Sequence, residues 1–111
     1  VFKDAKPYLV TGSPGGSRII TTVLQSILNV VDHQMNVAEA VHQPRMHHQW
    51  QPDLLFLEPG FNVDTRSLLD GLGHAVKDTR TMGSVNAVLW DGESFYGAAD
   101  PRKPDALALG L

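Results

Sequence analysis

Apolar residues recur along Arg18–Val31 at the spacing of one helix face: Ile20, Val23, Leu24, Ile27 and Val31. The pattern predicts a helix over Arg18–Val31 with this stripe buried and Ser17 as its N-cap. Its β-branched residues lower intrinsic propensity, so packing must hold it. Upstream, "VF", the polar "KDAK" and "PYLVT" read as a hairpin over Val1–Thr11, with Pro7 tolerated at a strand start. Downstream, Asn36 followed by Glu39 has the spacing of a capping box and opens a second helix that Pro44 stops. "RMHHQW" reads as extended and "DLLFLE" as a short apolar strand, with a turn at Pro59-Gly60. Asp64 or Thr65 caps a third helix reaching Leu72, which Gly73 ends. "HAVKD" reads as a strand. "SVNAVLW" and "SFYGAA" flank "DGE" as a hairpin. The order ββ-α-α-β-α-β-β-β is that of an α+β chain with a mainly antiparallel sheet. Pro101–Leu111 reads as a loosely held tail.

Composition narrows the function classes. The 111 residues fit one small domain or a piece of a larger one. Net charge is −3 and no basic stripe occurs, which argues against a nucleic-acid partner. The absence of cysteine removes disulfides, thiolate metal sites and cysteine nucleophiles. No apolar run approaches the ~18 residues of a membrane span. "VFKDAKPYLV" has no signal-peptide pattern, so the signal of an exported parent would lie outside this chain.

The candidate chemistry centres on "TGSPGGSRII", Thr11–Ile20. A strand, a glycine-rich turn and a helix N-terminus aim free backbone N–H groups at one point, which favours an anion or a developing negative charge. A phosphate loop would need Lys-Ser/Thr after its last glycine, and Ser17-Arg18 stands there. A dinucleotide fingerprint needs Gly-x-Gly-x-x-Gly, which Gly12, Gly15 and Gly16 do not match. A plain structural turn and an oxyanion hole remain. His42, His47 and His48 raise a metal hypothesis, but adjacent residues of an extended segment point to opposite faces and no HExxH spacing occurs. Thr21 and Thr22 sit in the helix, where hydroxyls bond back to the preceding turn. Ser13 has no base evident from the sequence. Asp53 and Glu58 read as solvated or ion-paired. Arg18, at a helix N-terminus where a cation is unfavourable, calls for an acidic partner. Asp100-Pro101-Arg102 is a second conspicuous charge group.

Longer segments decide the matter. "VTGSPGGSRIITTVLQ", "NVAEAVHQPRMHHQW", "LEPGF", "MGSVNAV" and "DGESFYGAADPR" strongly resemble, in order and spacing, the corresponding parts of gamma-glutamyltranspeptidases, which are N-terminal-nucleophile hydrolases. The resemblance implies part of a four-layer αββα sandwich. It implies a precursor that cleaves itself into a large and a small subunit, the small one beginning with a catalytic threonine. That hydroxyl attacks the γ-glutamyl carbonyl of glutathione or a related amide, with its own α-amine as base. The acyl-enzyme then passes the glutamyl group to water or to an amino acid or peptide. The family's tandem oxyanion glycines, the second of them also against the bound glutamyl group, match Gly15 and Gly16. No cofactor is implied.

By this resemblance residues 1–111 form a single domain fragment, the C-terminal part of a small subunit. The threonine, the residues holding the donor's α-carboxylate and α-amine, a Ser-Ser-Met and a large-subunit arginine all lie outside it. The partners implied are the remainder of the precursor and γ-glutamyl compounds. The isolated chain is expected to be inactive and to self-associate. A periplasmic or extracellular location is expected for the parent. The alternatives are a cephalosporin acylase of the same family and a stand-alone anion-binding module.

Overall fold

The computed structural model describes residues 1–110. The chain opens with a tight hairpin, β1 (Phe2–Lys3) against β2 (Lys6–Pro7). Asp4 and Ala5, both at positive φ, form a two-residue turn whose twist suits a hairpin. "PYLVT" therefore does not return along "VF" as a single partner. Its strand, β3 (Leu9–Gly12), instead pairs antiparallel with β7 (Asn86–Trp90). β7 pairs in turn with β8 (Phe95–Ala99) through the "DGE" turn, as the sequence indicates. This gives an antiparallel sheet in the order β3-β7-β8.

A second small sheet holds β4 (Met46–His47), β5 (Leu55–Leu57) and β6 (Val76–Asp78). β4 runs antiparallel to β5, and β6 parallel to it. The parallel pair needs a crossover, and the third helix, α3 (Val63–Gly71), supplies it. Asn62 caps α3, its side chain accepting from Asp64 N–H at 2.7 Å. The cap thus lies just before the Asp64 and Thr65 read from the sequence.

The longest helix, α1 (Ile19–Val31), follows a single 3₁₀ turn at Gly16–Arg18. Ser17 does not cap it; the N-cap position is Arg18, with no side-chain cap bond. The buried face also differs from expectation. Thr22, Ser26 and Val30 face the core, whereas Ile20, Leu24 and Val31 are exposed and Val23 and Ile27 half-buried. Hydropathy misplaces the face because two of its buried residues carry hydroxyls. Ser26 Oγ satisfies itself on the Thr22 carbonyl at 3.0 Å, and both side chains are small enough for close approach to neighbouring backbone.

The second helix, α2 (Val37–His42), has the full capping box. Asn36 Oδ1 accepts from Glu39 N–H at 2.9 Å, and Glu39 Oε2 from Asn36 N–H at 3.0 Å. α1 and α2 pack on one face of the β3-β7-β8 sheet around Leu9, Val30, Val37, Ala40, Val41, Val85, Ala87 and Ala98. Alternation along the strands turns Val10, Val88 and Phe95 to the other face, where they are exposed.

Candidate functional site

β3 delivers the chain to Ser13-Pro14-Gly15-Gly16, and the 3₁₀ turn hands it on to α1. Gly15 lies at φ 144° and Gly16 at φ 59°, conformations that L side chains rarely adopt. Tandem glycine is therefore required by the backbone path itself. Both residues are exposed, and among the described residues no group accepts their N–H hydrogens. Their carbonyls are engaged, that of Gly15 by Arg18 N–H at 3.2 Å and that of Gly16 by Ile19 N–H. Two successive free donors thus stand at the positive end of a 13-residue helix.

Side chains hold the loop at both ends. Upstream, Ser13 Oγ accepts from Ser84 N–H at 2.9 Å and donates to the Pro14 carbonyl at 2.7 Å. Downstream, Ser17 Oγ donates to Gln49 Oε1 at 2.7 Å, and His47 Nε2 reaches the same oxygen at 2.9 Å. Gln49 Nε2 donates to the Gln51 carbonyl, which fixes Oε1 as the acceptor. His47 Nε2 must then carry hydrogen, and in the neutral ring Nδ1 accepts from Thr21 Oγ1, 2.7 Å away. The Thr21–His47 pair is a hydroxyl–imidazole contact that sequence reading does not find. His47 is only 2% exposed, and Thr21 Oγ1 also lies 3.2 Å from the Arg18 carbonyl. The pair ties α1 to β4 rather than offering a nucleophile to solvent.

Arg18 has no carboxylate partner among the described residues, contrary to expectation. Its guanidinium instead sits 5.4 Å from the centroid of the Phe56 ring, which His47 also stacks against. Among the described residues Ser13 Oγ bonds only main-chain groups, the Pro14 carbonyl and Ser84 N–H. No three His, Asp or Glu side chains gather as an ion site among the described residues. Asp53 and Glu58 part company: Asp53 is exposed beside His48, and Glu58 is buried.

Behind the loop lies a buried cluster of four charges. Arg45 meets Asp100 at 2.7 Å and donates to the carbonyls of Met82 (2.7 Å) and Val41 (2.8 Å). Arg102 bonds Glu58 through Nε at 2.9 Å and through Nη2, and meets Asp100 at 3.1 Å. Arg102 also donates to the Val41 and Gln43 carbonyls, so two cations close the C-terminal end of α2. Residues 101–110 form no helix or strand; Arg102 ties the start of this segment to Glu58 and Asp100, whereas Leu107 and Leu109 further on are exposed, and Leu111 lies outside the described residues. Burial alone would raise the Asp100 carboxyl. N–H donation from Val85 and Arg102 and the two guanidinium groups outweigh it and hold the carboxyl below its ordinary value. Burial lowers the Arg45 guanidinium. It also pulls on Arg102, but the bonds to Glu58 and Asp100 prevail and raise that group.

The cluster and the loop share one segment. Met82 N–H donates to Glu58, the Met82 carbonyl accepts from Arg45, Ser84 N–H donates to Ser13, and Val85 N–H donates to Asp100 at 2.7 Å. None of these partners of the glycine loop is evident from spacing. "MGSVNAV" and "PRMHHQW" belong to the resembling segments, which was the only signal available for them.

The chain matches the family described as gamma-glutamyltranspeptidase over residues 1–110. It is 54% identical to a glutathione hydrolase proenzyme of Escherichia coli, over 99% of this chain and 19% of that protein. A solved gamma-glutamyltranspeptidase of Helicobacter pylori aligns with a TM-score of 0.89 at 50% identity, covering 93% of this chain and 58% of that one. Another, from Pseudomonas nitroreducens in complex with L-DON, aligns with a TM-score of 0.86 at 31% identity, covering 100% and 58%. The α+β architecture described above is therefore that of the N-terminal-nucleophile hydrolases, and the chain spans 19% of the length of the first of these relatives.

Proposed function

The chain belongs to the gamma-glutamyltranspeptidase family, and on that premise we propose that it contributes the oxyanion loop of an enzyme that cleaves γ-glutamyl amides such as glutathione. The nucleophile in this reading is a threonine hydroxyl on a part of the enzyme outside these 111 residues. Its oxygen bonds to the γ-glutamyl carbonyl carbon, and its α-amine takes the proton. The carbonyl oxygen becomes an oxyanion between the N–H groups of Gly15 and Gly16. Collapse breaks the C–N bond, and the departing amine receives the proton. Water or an acceptor amine then takes the glutamyl group from the acyl-enzyme by the same route in reverse.

One observation carries this reading: two adjacent N–H groups, unpaired among the described residues, at the N-terminal end of α1. Preorganised donors of this kind stabilise the charge that develops in the transition state without reorganising when it appears. The test is Gly15→Val in the complete enzyme. A side chain at φ 144° displaces the donors, and turnover of γ-glutamyl-p-nitroanilide should fall about 10²–10³-fold. A folded variant with unchanged turnover would remove the assignment.

A further inference from the structure

We propose that Gly83 is a positioning residue for this loop: it transmits the placement set by the buried charge cluster to Gly15 and Gly16. The inference rests on the oxyanion reading above and adds the element that sets the donors.

Gly83 lies at φ 68°, and a Cβ there would fall 2.4 Å from Ser13 Oγ, 3.0 Å from Thr22 Cγ2 and 3.3 Å from the Pro14 carbonyl oxygen. A Cβ built on Gly15 would in turn touch Gly83 Cα at 3.6 Å. The two glycines therefore meet backbone to backbone, with no side chain between them. Around Gly83 the main chain is held on both sides. Met82 bonds Glu58 and Arg45, and Val85 bonds Asp100. Between them, Ser84 N–H holds Ser13. These bonds fix the main chain of the segment, so a methyl group is taken up on the loop side, by Ser13 Oγ turning off Ser84 N–H and by the Pro14 carbonyl oxygen giving way. Ser13 and Pro14 would be pushed outward, carrying the Gly15 and Gly16 donors with them. A shift on the scale of an ångström is enough to cost about 10²-fold in rate.

The experiment is Gly83→Ala in the complete enzyme, read as kcat and KM with γ-glutamyl-p-nitroanilide. The expected result is a loss of about 10²-fold in kcat with KM little changed. Alanine at positive φ also strains the backbone, and Gly73→Ala isolates that effect. Gly73 lies at φ 93° with nothing near its Cβ position, so that variant should lower thermal stability and leave kcat intact. The discriminating arm is Ser13→Ala alone and combined with Gly83→Ala. Removing Oγ removes the closest contact but also the bond to Ser84 N–H, so Ser13→Ala is the reference, and measured against it Gly83→Ala should cost about tenfold less kcat than it costs with Oγ present, a coupling that contacting residues show. Loss of kcat that is the same with and without Ser13 Oγ, or no loss at all, would overturn the role of Gly83 while Gly15→Val still lowers kcat. If Gly15→Val also leaves kcat unchanged, the oxyanion reading itself falls, and the positioning role with it.

Discussion

Asp100 Oδ2 lies 2.7 Å from Arg45 Nη2, and neither side chain is more than 3% exposed. Removing one member of such a pair strands the other in a medium that solvates it poorly. Asp100→Ala should therefore cost about 3–5 kcal/mol. Asp78→Ala, which breaks the exposed pair with Arg66, should cost at most about 1 kcal/mol. Urea titrations of both variants in the complete enzyme compare them directly. Equal losses would mean that the cluster does not act as a buried network.

The same carboxylate sets an acid limit. Asp100 titrates below its ordinary value of 3.8 in the folded chain, so the unfolded chain binds its proton more readily. Its contribution is complete above that ordinary value and is lost as pH falls through the lower folded one. Stability should drop on acidification below about pH 4, and Asp100→Asn should flatten that part of the profile. A variant with the same acid slope as the parent would assign the limit to other groups.

Much of the local structure is legible because its causes are local. The Asn36–Glu39 capping box spans four residues, and Pro44 stops α2 by the geometry of its own ring. The loop glycines are legible too, since their φ values are a property of those residues. What is hidden comes from distant partners. Ser17 reads as a cap, yet its hydroxyl finds Gln49, 32 residues on, and Ser13 finds Ser84 across 71 residues. Arg18 is misread because an aromatic face stands where a carboxylate was expected. The buried face of α1 is misread because Thr22 and Ser26 count as polar until their partners are known.

The isolated polypeptide should self-associate and show no turnover of γ-glutamyl-p-nitroanilide. Val10 is 67% exposed and Phe95 74% on one sheet face, while Ile20 (75%) and Leu24 (51%) face outward on α1. Apolar area of this extent, beside short sheets with open edges, recruits other chains. Light scattering over a dilution series measures the association. A monodisperse 12.1 kDa particle, or activity that follows the chain through repurification, would contradict the expectation.

The route of the Met82–Val85 segment also has a temporal meaning. Its partners Ser13, Arg45 and Glu58 precede it in the chain, and Asp100 follows it. In a protein synthesised from its N-terminus, Arg45 and Glu58 are made long before the charges at 100 and 102 that neutralise them. Burying them earlier would leave ions without partners, which the interior penalises. Closing contacts so far apart in sequence is also the slow part of folding. The Ser13 end of the glycine loop can thus be anchored only once Ser84 has been made, and the ion cluster behind it can close only once the polypeptide extends to Arg102.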